Sequence, residues 1–334
     1  MKAAVLTGVN QPLQVQEFPD PQPGPHEVVV KVAAAALNHR DVFIQKGLYA
    51  GLKFPMILGA DGAGVVTAVG AAVAERWLGK AVVFNPGLDW GENPAAQSRQ
   101  FRILGMPDHG TFAEFVRVPA ENLGAKPDHL DWGQAAALPL AGLTAYRALF
   151  TRASLGDNDR VLITGIGGGV ALLAMQFAVA CGAQVYVTSG ADEKLARARE
   201  LGAAGGQNYH QPDWVKAFKA EVGGFDLIVD SAGGEGFNAL LDLAAPGGRV
   251  VLYGATLGLP NNFDLRRIFW KQLSVLGSTM GTADDFAAML HFVETRQITP
   301  VVDQLFPLSE AERALRRMDD GQQFGKIVLS INQL

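Results

Sequence analysis

Residues 165–171 read Gly-Ile-Gly-Gly-Gly-Val-Ala, and no other segment limits so sharply what this chain can fold into. The cluster follows the apolar run Arg160–Thr164 and opens the apolar stretch Leu172–Ala180. A buried strand, a tight turn and a helix start are the parts of a dinucleotide pyrophosphate site. Glycine lets the backbone approach the phosphates, and the helix N-terminus offers free N–H groups and a partial positive charge. The spacing reads Gly165-x-x-Gly168-x-x-Ala171, with Gly167 and Gly169 adding freedom. Alanine at the closing position is compatible with close helix–strand packing. The competing reading is a glycine turn between strand and helix with no ligand.

The sequence around the cluster alternates strand and helix patterns. Strands are expected at Arg160–Thr164, Gln184–Thr188, Phe225–Ser231, Gly248–Tyr253 and Leu273–Gly277. Helices are expected at Glu193–Leu201, Asp213–Val222 and Gly236–Ala245. Such alternation predicts a doubly wound parallel sheet. The first part of the chain reads differently. Short apolar or alternating runs at Lys2–Thr7, Glu27–Ala35, Gly62–Val69, Lys80–Phe84 and Thr111–Val118 are separated by Gly and Pro clusters, which predicts a β-rich unit. Asn85–His109 is a long irregular stretch. A helix is expected at Asp284–Glu294, and the extended tail Gly325–Ser330 could return to complete the first unit.

With 334 residues there is room for two domains, each with its own core. Hydrophobic residues make up 49% and charged residues 18%, the profile of an α/β enzyme. The net charge is −5 with no basic block, which argues against nucleic acid or an anionic membrane surface as the main partner. The single cysteine, Cys181, excludes an intrachain disulfide and fits a reducing cytoplasm. The apolar run Met1–Gly8 is too short for a signal peptide, and none reaches the roughly 20 residues of a membrane span.

Several segments in order resemble the medium-chain dehydrogenase/reductase superfamily. They are Leu37–Asp41, Gly47-Leu-Tyr49, Pro55–Val66, Gly110–Phe115, Ala135–Tyr146, the glycine cluster and Gly325-Lys-Ile-Val-Leu329. The resemblance implies a GroES-like β-barrel catalytic domain over residues 1–125 and 282–334. It also implies a Rossmann doubly wound domain over 126–281, an active site in the cleft between the two, and a homodimer.

In the zinc alcohol dehydrogenases of that superfamily, a Cys, a His and a Cys hold the catalytic metal. The matching positions here are Asn38, Ala60 and Leu140, none of which supplies a thiolate or an imidazole. Asn85–His109 has the place and length of the family's four-cysteine structural lobe but contains no cysteine. No metal site is therefore expected. Asp61, His39 and His109 are the donors from which another could be built, although Asp61 and His39 also suit hydrogen-bonding roles. Without a Lewis acid nothing depresses an alcohol's pKa. The zinc-free branch of the superfamily resembles quinone oxidoreductases and enoyl reductases. Its acceptors are already electron-poor, and need orientation, a hydrogen bond to oxygen and a proton.

The nucleotide is expected to be NADPH. NAD enzymes place an acid at the end of the second strand to bind the ribose 2′-hydroxyl. Ser189 stands there, where it can donate to a 2′-phosphate. In the NADPH-dependent quinone oxidoreductases a Lys and a Tyr contact that phosphate, and Lys194 and Tyr209 match. Lys194 could equally be a solvated helix-face charge, and Asp192 and Glu193 lie close by. The resemblance places further cofactor contacts at Thr144, Gly165, Gly167, Gly168, Gly169, Val170, Ser231, Gly254, Ala255, Ser278 and Lys326.

Asn38 and Tyr49 are the expected catalytic groups. The Asn38 amide could donate to a substrate carbonyl or the ribose, or could be a capping residue. Tyr49 resembles the enoyl reductase tyrosine that donates a proton, and could otherwise line the pocket. Asp41 and His39 are expected behind them. Thr279 and Met280 are expected to border the substrate, and Phe43 and Trp90 suit a flat apolar one. The leading function is a zinc-independent, NADPH-dependent reduction of a quinone or an α,β-unsaturated carbonyl. The alternatives are a zinc-type alcohol dehydrogenase with a degenerate metal site and a crystallin-like NADPH- or RNA-binding protein.

Overall fold

A computed structural model describes residues 1–334. It divides into two compact units, Met1–Leu143 with Gly281–Leu334, and Thr144–Met280. Residues 126–143, expected in the nucleotide-binding domain, pack with the first unit. The helix Trp132–Ala136 there sits on the strands Glu27–Ala36 and Asp61–Val69.

The first unit is built on a seven-stranded sheet. Its path runs Leu123–Ala125, Ala81–Phe84, Asp61–Val69, Glu27–Ala36, Lys326–Ser330 and Val302–Pro307, and Phe115–Pro119 also pairs with Glu27–Ala36. A three-stranded sheet of Gln14–Glu17, Lys2–Leu6 and Met56–Ile57 packs with it around one core that includes Leu6, Leu37, Ile44, Met56, Phe84 and Phe112. The tail strand Lys326–Ser330 does return to this unit, antiparallel to Glu27–Ala36 with Val328 opposite Ala36. The same central strand pairs Ala36 with Asp61 on its other side. These two registers bring residues 36–38, 61 and 326–328 together at one end of the sheet.

Asn85–His109 folds as a lobe held by protein contacts. It contains the two-stranded pairing of Gly87–Leu88 with Arg102–Ile103. Trp90 is buried edge-on against Phe101, with ring centroids 5.4 Å apart, and its Nε1 donates to the Asn93 carbonyl at 3.0 Å. The Asn122 amide ties the lobe's base through the Asn85 and Gly87 carbonyls. Trp90 is thus packed into the lobe, where it also lines a cavity together with Asn85, Pro94 and Asn122.

The second unit is a six-stranded parallel sheet ordered Gly205–Asn208, Gln184–Ser189, Arg160–Ile163, Phe225–Asp230, Ala244–Leu252 and Ser274–Gly277. Helices Gly169–Ala180, Asp192–Glu200, Trp214–Val222, Phe237–Leu243 and Leu265–Lys271 connect the strands. The central strands are mostly apolar because helices cover both faces of such a sheet, and the charges at their start, Arg160 and Asp226, pair with each other. No helix is long and apolar enough to cross a membrane.

Candidate active site

The nucleotide-type features gather in the second unit. The strand Arg160–Ile163 ends in Thr164, and Gly165 and Gly167 take φ values of 65° and 128°, which side chains rarely adopt. Gly168 precedes the twelve-residue helix Gly169–Ala180 as its N-cap, with no side-chain cap. A Cβ built on Gly165 or Gly168 would meet no atom within 4 Å, so the turn is an open cradle lined by backbone. The Thr188 side chain and carbonyl hold it from the neighbouring strand, receiving the Gly165 and Ile166 N–H groups at 3.2 and 2.8 Å. Val170 lies in the first turn of the helix.

Ser189 closes the second strand and carries no charge. It is buried, and its hydroxyl accepts the Ala191 N–H at 3.2 Å. Tyr209 is brought beside it by the short strand Gly205–Asn208, with the Tyr209 N–H on the Ser189 carbonyl at 3.0 Å. Its hydroxyl lies over Gly190, where a methyl group would stand 2.7 Å away. Lys194 sits in the first turn of Asp192–Glu200. The nearby Asp192 carboxylate accepts from the Asn208 amide at 2.8 Å.

The remaining residues lie at later strand ends. Gly254 packs on Ser231, whose carbonyl would be 3.1 Å from a side chain there, and Ala255 is exposed. Ser278 follows the last strand, and its buried hydroxyl has no protein partner. Thr144 is buried, with its hydroxyl 3.9 Å from the Met280 sulfur. An open glycine cradle, an uncharged second-strand end and an unpartnered buried hydroxyl fit a dinucleotide with a nicotinamide end.

Asn38, Asp61 and Lys326 form a second constellation, in the first unit. The Lys326 ammonium, grouped above with the cofactor contacts, donates to Asn38 Oδ1 at 2.6 Å and to Asp61 Oδ2 at 2.8 Å. Asn38 Nδ2 donates to Asp61 Oδ2 at 2.9 Å. Asp61 Oδ1 accepts the Leu140 N–H at 2.7 Å, and its own carbonyl accepts from Thr111. The ion pair is almost sealed, with side chains 4% and 0% exposed. A buried charge must be paired or neutralised, and here each charge is the other's partner. That is the signal a sequence reading could have used. Lys326 and Asp61 are charges of opposite sign at the heads of otherwise apolar or glycine-rich strands.

Asn38 opens the short helix His39–Gln45, where its backbone N–H donates to Asp41 Oδ2 at 2.8 Å. Burial pushes the Asp41 carboxyl up to about 6, against the pull of Arg40 and this hydrogen bond. Tyr49 is half-buried on the barrel core with the Arg40 guanidinium 5.9 Å above its ring. His39 is exposed near Phe43, with ring centroids 6.4 Å apart. His109 Nδ1 accepts the Ile57 N–H at 3.3 Å, and its ring meets Phe18. His39, Asp61 and His109 therefore do not converge, and no group of three or more His, Cys, Asp or Glu side chains is placed to hold a metal ion. Amide, methyl and isobutyl groups at residues 38, 60 and 140 do not suit the thiolate–imidazole preference of catalytic zinc.

Comparison with known proteins agrees with both units. An alcohol dehydrogenase GroES-like domain model matches residues 24–128, and a zinc-binding dehydrogenase model matches residues 169–295. A zinc-type alcohol dehydrogenase-like protein of Leptosphaeria maculans is 36% identical over 97% of this chain and 96% of its own length. An acryloyl-coenzyme A reductase of Metallosphaera sedula is 29% identical over 99% of this chain and 100% of its own. The crystal structure of an NAD-dependent alcohol dehydrogenase superimposes with a TM-score of 0.94 at 40% identity, covering 99% of this chain and 100% of that one.

Proposed function

The chain belongs to the medium-chain dehydrogenase/reductase superfamily, and from that premise we propose that it is a zinc-independent, NADPH-dependent reductase of quinones or α,β-unsaturated carbonyl compounds. It is an oxidoreductase with a GroES-like unit and a Rossmann-like unit, and a nicotinamide cofactor follows from that fold. The observation that carries the finer reading is the side-chain set Asn38, Ala60 and Leu140, beside which a lysine ammonium stands. That set polarises by hydrogen bonding and offers no Lewis acid site. The name of the Metallosphaera relative supports an acceptor with a conjugated double bond.

The residues divide the work. The backbone of Gly165–Val170 would hold the pyrophosphate, and Ser189, Lys194 and Tyr209 the 2′-phosphate. Thr144, Ser231, Gly254, Ala255 and Ser278 would surround the nicotinamide half. The bound cofactor supplies a hydride. Asn38 donates a hydrogen bond to the acceptor oxygen as charge grows on it. Tyr49 delivers a proton to the α-carbon of the enolate.

The test is consumption of reduced cofactor over quinones, enones, enoyl thioesters and aldehydes, with NADH as control and metal content measured on the purified protein. NADPH-dependent turnover of the conjugated acceptors without stoichiometric metal is the expected result. Alcohol oxidation that requires stoichiometric zinc would overturn it. A second reading, with NADH as donor, is favoured by the 40% identity to an NAD-dependent alcohol dehydrogenase, and the same assay separates the two. The crystallin-like alternative requires tight RNA binding without turnover, against a net charge of −5.

The proposal extends to assembly as a homodimer. Ser274–Gly277 is an edge strand of the parallel sheet, and Leu257, Leu259, Leu265, Phe269 and Trp270 are exposed in the segment before it. An unpaired edge beside an apolar surface suits an isologous pairing with a second copy.

A further inference from the structure

The Asn38 carboxamide is held so that its orientation is fixed. Its oxygen and nitrogen are nearly alike in size, and neighbours decide which way the group faces. An ammonium has only hydrogens to offer, so Lys326 Nζ at 2.6 Å faces Oδ1. An ionised carboxylate has only lone pairs, so Asp61 Oδ2 at 2.9 Å faces Nδ2. The Lys326–Asp61 bond at 2.8 Å closes a three-membered ring of charge-assisted hydrogen bonds. Turning the amide over would set N–H against ammonium and oxygen against carboxylate. One Nδ2 hydrogen is spent on Asp61, so the donor left for a ligand is the second one.

Resting on the reading of Asn38 as the group that meets the acceptor, we propose that Asp61 and Lys326 are positioning residues that make Asn38 a one-way donor to an acceptor oxygen. The pair adds no net charge, so it orients the amide without attracting an anion. The ammonium on Oδ1 also draws electron density from the amide and strengthens its remaining N–H as a donor. This chemistry selects an acceptor whose oxygen gains negative charge as the hydride arrives, a carbonyl conjugated to a double bond. The hydride forms the new C–H bond at the β-carbon, the π pair moves to give an enolate, and a proton then adds at the α-carbon. The reduced nicotinamide is oxidised.

The experiment compares wild type with Lys326→Met, Lys326→Arg, Asp61→Asn and the double variant Asp61→Asn/Lys326→Met on a series of para-substituted benzylideneacetones. Lys326→Met is expected to lower kcat by about ten-fold, equivalent to about 1.4 kcal/mol. The acceptor KM and the Kd for reduced cofactor, read by fluorescence, should stay within about two-fold. Rates should depend more steeply on electron-withdrawing substituents, because the acceptor must supply the stabilisation the oriented amide no longer gives. Lys326→Arg should recover most of kcat.

Either single neutralisation leaves a buried charge without a partner and could unfold the protein. The double variant removes both charges, and is expected to keep a wild-type melt yet react as slowly as Lys326→Met. In wild-type protein carrying nitrogen-labelled asparagine, one of the two Asn38 side-chain N–H signals, the hydrogen bonded to Asp61, should be protected from solvent exchange relative to the other, the pair being assigned by its loss in Asn38→Asp. Equal, unprotected exchange of both hydrogens, or a double variant with wild-type kcat and substituent dependence, would overturn the proposal. So would a cofactor Kd weakened more than about ten-fold in Lys326→Met with kcat unchanged at saturation, which makes Lys326 a cofactor contact. If the wild type reduces no conjugated carbonyl, it is the functional reading that fails.

Discussion

Asp41 shows how much a single carboxylate can cost. One oxygen caps the Asn38 N–H, the other is buried without a protein partner, and the group is fully enclosed. Its pKa is raised from 3.8 to about 6, so the folded state binds the proton more tightly than the unfolded chain. The contribution to stability therefore falls as pH rises between those two values, and the penalty is complete above about 6. A shift of about two units corresponds to about 3 kcal/mol. Asp41→Asn keeps an acceptor for the Asn38 N–H and loses the ionisation. Urea unfolding at several pH values should find the variant more stable than wild type at neutral pH, by up to about 3 kcal/mol, with the gap closing below pH 4. A gap that does not change with pH would assign the effect to packing. Ser189→Asp acts on cofactor choice. A carboxylate there would accept from a ribose hydroxyl and repel a 2′-phosphate. The NADPH-to-NADH ratio of kcat/KM should fall by about ten-fold or more, and an unchanged ratio would put the phosphate elsewhere. Among single residues, Asn38 and Ser189 were legible because their neighbours in sequence mark their places. Lys326 was legible only as a lone charge heading an apolar strand, because its partners are 265 and 288 residues away and only strand register joins them.

Among the elements, the glycine turn was the most legible, since strand, turn and helix are contiguous. Gly168 offers a clean test of what the turn is for. Its φ of −75° suits any residue, and a Cβ there touches nothing in the protein. Gly168→Ala should leave the melting temperature of the free protein unchanged or slightly raised, since alanine restricts the unfolded chain. The same methyl would project into the cradle and weaken cofactor binding by about ten-fold, about 1.4 kcal/mol. Fluorescence titration and a thermal melt together check it, and unchanged binding would mean that the phosphates do not approach residue 168. The central strands and all the connecting helices of the parallel sheet except Leu265–Lys271 were also readable from apolar periodicity, with ends displaced by a residue or a few. The strand Gly205–Asn208 was not, because Gly-Gly-Gln-Asn contains no β-branched or aromatic residue. Its glycines are required by packing. A Cβ on Gly206 would stand 2.9 Å from the Val187 carbonyl, and one on Gly205 equally close to Tyr186. The helix Ala311–Asp319 and the strand Val302–Pro307 also escaped, although Ala311, Ala314, Leu315 and Met318 give the helix a buried face at its proper spacing.

For the molecule as a whole, the most exposed large apolar side chains lie close together in sequence. Trp270 and Leu259 are each 83% exposed, on the segment that leads to the edge strand Ser274–Gly277. If that surface is covered by a second copy, Trp270→Glu should shift size-exclusion elution from dimer to monomer and leave the monomer folded by circular dichroism. A wild type that already elutes as a monomer would remove the dimer. No sequence reading could have found this patch, because its residues are ordinary until the fold shows that nothing in the chain covers them.

The first unit is written in two pieces, with the whole of the second between them. Strand Glu27–Ala36 finds its neighbour Lys326–Ser330 only after that insertion has been made, and Asp61 waits 265 residues for its lysine. At about 5–20 residues per second of synthesis, the wait is on the order of tens of seconds. For that interval the nascent chain carries an open strand edge and a carboxylate destined for burial with no counter-charge. The inserted unit, Thr144–Met280, has a contiguous sequence and can close behind it. Vectorial synthesis thus leaves the earlier-made part to finish later, and a nascent-chain protease assay should find residues before 143 susceptible after the parallel sheet has become resistant.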